Sequence, residues 1–566
     1  MNRAPDFIVT RVWNLLKPDK IEIRNSYLFA VFSGVLSLGL PLGIQMIINF
    51  IQLGQLSASW FLLVGLVVVA IGISGIMNIL QLRIMENLQQ RIFTRSAFDF
   101  SCRIPQFKME AIRRFYSPEL SSRFFDTLTI QKSISKLLID FMAASLQIIF
   151  GLGLLAFYHS FFIFFGLSLL TLLFLLIRFT SRAGYSTSLK ESSIKYKIAN
   201  WLSEINMSRA GFKMTDSKSQ LRKTDSLLND YLDARKNHFK ILVTQYKYLV
   251  LFKVLITLCL LILGGVLVVN QQMNIGQFVA SEIIIVLVLS SVEKIILNLD
   301  LVYDVITAIE KIGQVSDISL DDKAEGNKLT SENSGLQITV KNMNYESNEF
   351  SNAILKNISF DVVPNEKVSI ISDSSVSSNV LFMLILGIYE KQTGTINIDN
   401  IPIENLTIES LRRVTSTLIA QDKLLFGTFH ENISFYDPNI PFDQIINITH
   451  QLGMSEFVDS MPNKFEAEIN PDSYLIPAEI EKKILLARAL SRNPKLLLLE
   501  EPTSGLNESD KKLVVDSLFS LPHCSTLIVS KDPKIHALSD KIIEIKKGEI
   551  VYIGNFETYS NHTKSC

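Results

Sequence analysis

The sequence predicts a membrane α-helical domain of six transmembrane helices followed by a water-facing α/β domain. Three observations predict it. Of 566 residues, 48% are hydrophobic and only 19% charged, and the mean hydropathy is +0.28, too apolar for an ordinary water-soluble chain of this length. The apolar residues gather in the first 300 positions, in long runs almost free of charge. From Leu336 onward, short β-rich runs alternate with helical segments, the order expected of a largely parallel sheet with crossover helices. Lys+Arg and Asp+Glu balance at 55 each, which argues against a nucleic-acid partner recruited by a global basic field. Cys102, Cys259, Cys524 and Cys566 stand far apart with no CxxC pair, which argues against a disulfide framework and a zinc site.

Residues 1–312 are read as the membrane domain. Residues 6–17 (DFIVTRVWNLLK) suit a helix lying in the interface and ended by Pro18. Six spans follow near 27–52, 59–82, 137–158, 161–177, 248–269 and 276–298, each close to the roughly 20 residues that cross a ~30 Å hydrocarbon core. The first starts too late and runs too long for a cleaved signal peptide. Loops 53–58, 158–160 and 270–275 carry no Lys or Arg, whereas the others carry many, among them Arg83, Arg91, Arg95 and Arg103. The positive-inside rule therefore predicts six crossings with both termini cytoplasmic.

The two basic loops, 83–136 and 178–247, hold 54 and 70 residues. In the second, Ile194, Ile198, Trp201 and Ile205 recur at three or four, the spacing of a packed helix. Two arms of about 25 residues each would project roughly 37 Å from the membrane. These hairpins should reverse near 117–125 and 206–213 and dock on an α/β domain. Inside the sixth span, Glu282 is expected to face the bundle interior or a wet cavity, because an isolated carboxylate in hydrocarbon is costly. Hydration at the outer interface is the plainer alternative.

The stretch 313–335 is polar and acidic and reads as a linker; 336–566 is the α/β domain. Here the order of segments resembles the exporter-type ABC transporter family, a half-transporter with fused membrane and ATP-binding cassette domains. ILKNISFDV (354–362), GTINIDNIPI (394–403), IAQDKLLFGTFHENI (419–433) and ILLARALSRNPKLLLLEEPTSGLN (484–507) carry the resemblance. The membrane half looks nearest to the peptide and protein exporters of the type I secretion kind. The resemblance implies a P-loop NTPase-like nucleotide-binding domain, ATP with Mg²⁺ as cofactors, and a dimer with itself or with a second half-transporter. A periplasmic adaptor and membrane lipid are further expected partners, and a bacterial plasma (inner) membrane is the expected location.

The family's site residues fall on unusual side chains. Where a glycine-rich loop, a lysine and a Mg²⁺-holding hydroxyl would stand, the chain has Ser372, Ser375, Ser377, Ser378 and Asn379. Glycines there let backbone N–H groups approach phosphate, and the lysine neutralises it. The signature motif falls on Pro477, Ala478 and Glu479, the D-loop aspartate on Asn507, the switch histidine on Lys531, and the adenine-stacking aromatic on Ser347. Gln421 takes the Q-loop position, Glu500 the Mg²⁺-associated aspartate and Glu501 the catalytic base. Asn379, Gln421 and Glu500 are thus the expected Mg²⁺ positions, weak or lost. A strand-end acidic pair without a ligand is the alternative for Glu500 and Glu501, and a loop amide that for Gln421. His430, His523 and His536 are read as surface residues. With five elements altered together, the chain is expected to turn over little or no ATP and to serve as a structural, regulatory or heteromeric subunit. An ATP-driven peptide, protein or lipid exporter with divergent motifs is the alternative.

Overall fold

The computed structural model describes residues 5–52, 58–113, 115, 117–321, 326–329, 334–346, 353–472 and 476–565. The chain divides into two compact units, residues 1–107 with 111–320, and 108–110 with 321–566.

The first unit is helical: α1 (Pro5–Leu16), α2 (Lys20–Ser37), α3 (Gly39–Gln52), α4 (Ala58–Arg103), α5 (Met109–Ile112), α6 (Ser117–Ser122), α7 (Asp126–Tyr158), α8 (Phe161–Met207), α9 (Arg209–Lys213), α10 (Ser217–Val269), α11 (Ile275–Leu297) and α12 (Leu299–Ser316). Among the described residues, six helical stretches are long and apolar enough to cross a membrane. The first span is two helices rather than one. Pro41 has no N–H to return to the carbonyl of Ser37 and its ring crowds the preceding turn, so the helix breaks at Leu38 between α2 and α3. α12 continues to Ser316, four residues into the stretch read as linker.

α11 is the most enclosed span, with half of its apolar window buried. Its Ile284, Ile285 and Val288 pack with Leu155 of α7, Leu169 of α8 and Leu249 of α10. α4, by contrast, turns Phe61 and Leu62 outward at 67% and 74% exposure. Side chains so exposed would be costly in water and are matched to hydrocarbon or a partner helix. Glu282 is half-buried, and its Oε1 is enclosed with no partner among the described residues. Glu293 pairs with Lys253 of α10 and accepts from the Tyr246 hydroxyl at 3.3 Å.

Beyond the apolar runs the long helices continue as arms. α8 and α10 are joined side by side by Gln245 Nε2 donating to Thr180 Oγ1 at 2.7 Å, Arg235 on Glu191 at 3.1 Å, and Trp201 Nε1 donating to Thr224 Oγ1 at 3.0 Å. The short helix α9 makes the reversal between them.

The second unit contains β1 (Ile338–Tyr345), β2 (Leu355–Val362), β3 (Lys367–Ser372), α13 (Ser375–Ile385), β4 (Thr393–Ile398), β5 (Ile401–Pro402), α14 (Ile408–Val414), β6 (Thr415–Leu418), β7 (Gly427–Thr428), α15 (Phe429–Ser434), α16 (Phe442–Gln451), α17 (Ser455–Ser460), β8 (Glu468–Ile469), α18 (Ala478–Leu490), β9 (Leu496–Glu500), α19 (Glu508–Phe519), β10 (Ser525–Val529), α20 (Pro533–Leu538), β11 (Lys541–Lys546), β12 (Glu549–Gly554) and α21 (Phe556–Ser565). The main sheet runs β12-β11-β3-β10-β9-β6. It is parallel from β11 to β6, with β12 antiparallel at its edge. Leu496 to Leu499 have no exposed surface, as a parallel strand covered on both faces requires. A smaller antiparallel sheet, β2-β1-β4-β5, packs its Ile338, Val340, Ile358 and Ile396 into the same core as β3 and α13.

Candidate functional site

In an open parallel sheet, ligands are taken up outside the carboxyl ends of the strands. Those ends are Ser372 of β3, Leu418 of β6, Glu500 of β9 and Val529 of β10. The fold therefore delivers Ser372–Asn379, Gln421, Glu500, Glu501 and Lys531 to one edge.

After β3 the chain makes no open loop. Only Asp373 and Ser374 separate the strand from α13, which begins at Ser375. Ser372 Oγ donates to the Ser374 carbonyl at 2.8 Å, and the Ser374 N–H donates back to Ser372 Oγ at 3.3 Å. Asp373 is pinned from the other side, its N–H on the Ile545 carbonyl and its carboxylate accepting from the Lys547 N–H at 2.9 Å. The Ser378 N–H, at the position where a lysine would reach for phosphate, is spent on the Ser374 carbonyl at 3.4 Å. Ser377 and Ser378 are 5% and 0% exposed, with Ser377 Oγ donating to the Ile354 carbonyl at 3.2 Å. Serine permits this winding, since nothing in the sequence forces the left-handed backbone that glycine supplies.

Two of the three expected Mg²⁺ positions meet directly. Asn379 Nδ2 donates to Gln421 Oε1 at 2.8 Å. Glu500, 6% exposed, accepts from the Ala420 N–H at 3.1 Å, which ties the Q-loop segment to β9. The next residue, Glu501, has a φ of 47° and donates its N–H to the Val529 carbonyl at 2.7 Å. Burial pushes the Glu501 carboxyl above its ordinary range, while a hydrogen bond from the Lys531 backbone and the charges of Lys531 and Lys482 pull it back.

Lys482 of α18 escaped the sequence reading. Burial lowers its ammonium, against the charges of Glu501, Glu500 and Asp422. The only sequence signal for it is the lysine pair that precedes ILLARAL, and its neighbour Lys483 faces elsewhere, bridging Asp510 at 2.6 Å. The edge of the sheet thus balances its own acids with lysines from the same unit.

The remaining expected residues stand apart. Pro477 is the cap residue of α18, and its carbonyl accepts from the N–H groups of Ile480 and Glu481. Ala478 and Glu479 form the first turn. Asn507 caps α19, its Oδ1 accepting from the Asp510 N–H at 2.8 Å. Among the described residues no hydrogen bond or ion pair joins these four to the serine segment. Ser347 lies outside the described residues, and Tyr345 is a core residue stacked on Tyr389 with centroids 5.7 Å apart. One histidine reading is overturned: His536 is buried, with Nδ1 2.7 Å from Ser369 Oγ, because α20 packs its inner face on β3.

ATP with Mg²⁺ asks this edge for a lysine, a row of outward N–H groups and an oxygen pair open to a cation. The segment supplies no lysine, its Ser378 N–H is turned into the helix, and Gln421 Oε1 already accepts from Asn379 Nδ2. The residues present do not fit the group as the family holds it.

The ABC transporter family profile matches residues 355–504. Among curated proteins, the chain is 28% identical over 246 residues to an uncharacterized ABC transporter ATP-binding protein, YfiB, of Bacillus subtilis, covering 43% of this chain and 42% of that one. It is 27% identical over 255 residues to an ATP-dependent lipid A-core flippase of Saccharophagus degradans, 45% and 43% of the two chains. It is 24% identical over 302 residues to the leukotoxin export ATP-binding protein LtxB of Aggregatibacter actinomycetemcomitans, 52% and 42%. The chain spans less than half the length of these relatives. In fold, it matches a bacterial Atm1-family ABC exporter solved with ATP bound, with a TM-score of 0.78 at 17% identity over 96% of each chain. An integral membrane unit and a cassette domain joined in one polypeptide, with that fold throughout and that profile across β2 to β9, lead to one conclusion: residues 355–504 belong to the ABC transporter family, within a chain that has the fold of an ABC exporter.

Proposed function

We propose that the chain is an exporter half-transporter whose own cassette domain binds ATP and Mg²⁺ weakly or not at all and does not turn ATP over. It works as a dimer, with itself or with a second half-transporter, as a structural or regulatory subunit of an export assembly in a bacterial plasma membrane, both termini cytoplasmic. The observation that carries this reading is the direct bond from Asn379 Nδ2 to Gln421 Oε1, which turns the amide donor of one expected cation position onto the oxygen of the other. The serine segment wound into α13 supports it. A catalytic dimer in this family takes its phosphate loop from one subunit and its signature from the other. Here both are altered, so pairing with a competent partner restores neither composite site. The relatives' names include lipid and toxin export, and the exported substrate is of one of those amphiphilic or polypeptide classes.

A second reading, an ATP-driven exporter with divergent motifs, is favoured by Glu501, whose raised carboxyl sits where a general base would be wanted. Phosphate release from Mg-ATP by the purified full-length protein, with nucleotide binding measured in parallel, separates the two. The proposal expects neither above a Glu501→Gln control; turnover abolished by that substitution would reverse it.

A further inference from the structure

A cavity of about 650 Å³ opens between α4 and α7. The chain leaves the apolar run of α4 at 82 and enters that of α7 at 137, so both helices bring their charged halves to the same end. The lining is sorted accordingly. Ile79, Leu82 and Ile139, with Asp140 beside them, line it on the hydrocarbon side, and Arg83, Lys132 and Lys136, with Glu86 among them, line it just beyond. From Ile79 to Gln89 the lining of α4 extends about 15 Å along the helix.

The cations in this wall outnumber its acids, three to two. Arg83, Lys132 and Lys136 are exposed, and among the described residues none makes an ion pair or a side-chain hydrogen bond. The two acids of the lining are engaged by amides: Glu86 accepts from Gln90 at 3.0 Å, and Asp140 accepts from Asn298 at 2.9 Å. Lys132 and Lys136 are four apart on one helix face, where like charges repel. Three cations against two carboxylates leave one surplus positive charge over a mostly apolar floor, at the boundary of the hydrocarbon.

We propose that this cavity holds an anionic lipid of the leaflet on the basic side of the bundle. Its phosphate would sit among Lys132, Lys136 and Arg83, and an acyl chain would run along Ile79, Leu82 and Ile139. A soluble anion would leave the apolar wall unused, and a zwitterionic lipid would leave the surplus charge uncompensated. The inference is independent of whether the cassette domain hydrolyses ATP.

The test uses the full-length protein in detergent, titrated with dioleoyl-phosphatidylglycerol or dioleoyl-phosphatidylcholine and read by native mass spectrometry. The wild type retains the anionic lipid in preference to the zwitterionic one, and Lys132→Gln and Lys136→Gln each weaken that binding about fivefold. Lys236→Gln/Lys240→Gln, an exposed pair elsewhere at the same spacing, leaves it unchanged. Equal retention of both lipids, full retention by the Lys132/Lys136 double variant, or an equal loss in the control pair would overturn the proposal. Displacement of the anionic lipid by millimolar inorganic phosphate alone would overturn it too, since the site would then belong to a soluble anion.

Discussion

Adding Mg-ATP to the purified protein should leave the melting temperature of the cassette domain almost where it was. A ligand at about 100 times its dissociation constant stabilises the folded state by about 2.7 kcal/mol. For a domain of roughly 230 residues that is a rise of about 5–10 °C. In this chain two charge-assisted contacts to phosphate are missing, the absent lysine ammonium and the Ser378 N–H that α13 has taken up. At about 1.5–3 kcal/mol each, their loss weakens binding by a factor of about 10² to 10⁴. The same ligand concentration then stands near or below the dissociation constant, and the gain falls to about 0.4 kcal/mol or less. The expected shift is about 1 °C. Scanning fluorimetry of the full-length protein, with and without Mg-ATP at that fixed concentration, makes the measurement. A rise of about 5 °C or more in the cassette transition would refute the argument, because it would mean that the serine segment unwinds and cradles phosphate after all.

Further outcomes are expected at three sites. Glu501→Gln should leave cellular export unchanged at normal expression and membrane insertion. Because burial raises the Glu501 carboxyl, its ionised form costs stability at neutral pH, and the glutamine variant should melt no lower than the wild type there; any advantage should shrink as pH falls through the ordinary carboxylate range. Asp510→Ala strands the Lys483 ammonium, which is 2% exposed, and should lower stability by about 3 kcal/mol, the low end for a broken buried pair because Asp510 keeps some solvent. Lys483→Met/Asp510→Ala should recover most of that in chemical unfolding. Burial lowers the His536 imidazolium, so the unfolded chain takes up its proton first and stability should fall as pH drops below about 6.5; His536→Asn should flatten that part of the pH-stability curve.

Most of the architecture could be read from the residues because hydropathy and strand periodicity are local signals. The six apolar runs, the two long hairpins and the fully apolar LLLL strand belong to that class. The break at Leu38 was also present in the sequence, in Pro41, but a hydropathy window averages across one proline. The site divides differently. The altered side chains at 372–379 were evident letter by letter, whereas the winding of that segment into α13 depends on which carbonyl each N–H finds. The Asn379–Gln421 bond joins residues 42 apart, and the charge of Lys482 bears on Glu501 only through the tertiary packing of α18. His536 was misread for a similar reason: a six-residue helix is too short for its inner face to show as a period.

The paired arms of α8 and α10 have a mechanical consequence. From the end of the apolar run at 177 to Met207, α8 continues for 30 residues, a lever of about 45 Å. Cross-braced by the Trp201, Arg235 and Gln245 contacts, the two arms should swing as one stiff beam with little bending. A tilt of about 10° where they leave the hydrocarbon would then carry the tip at α9 through about 8 Å. The gearing also runs in reverse: a large stroke at the tip delivers a small, forceful one among the membrane helices. The length of these arms thus fixes a transmission ratio for motion along this chain, whichever subunit of an assembly supplies the drive.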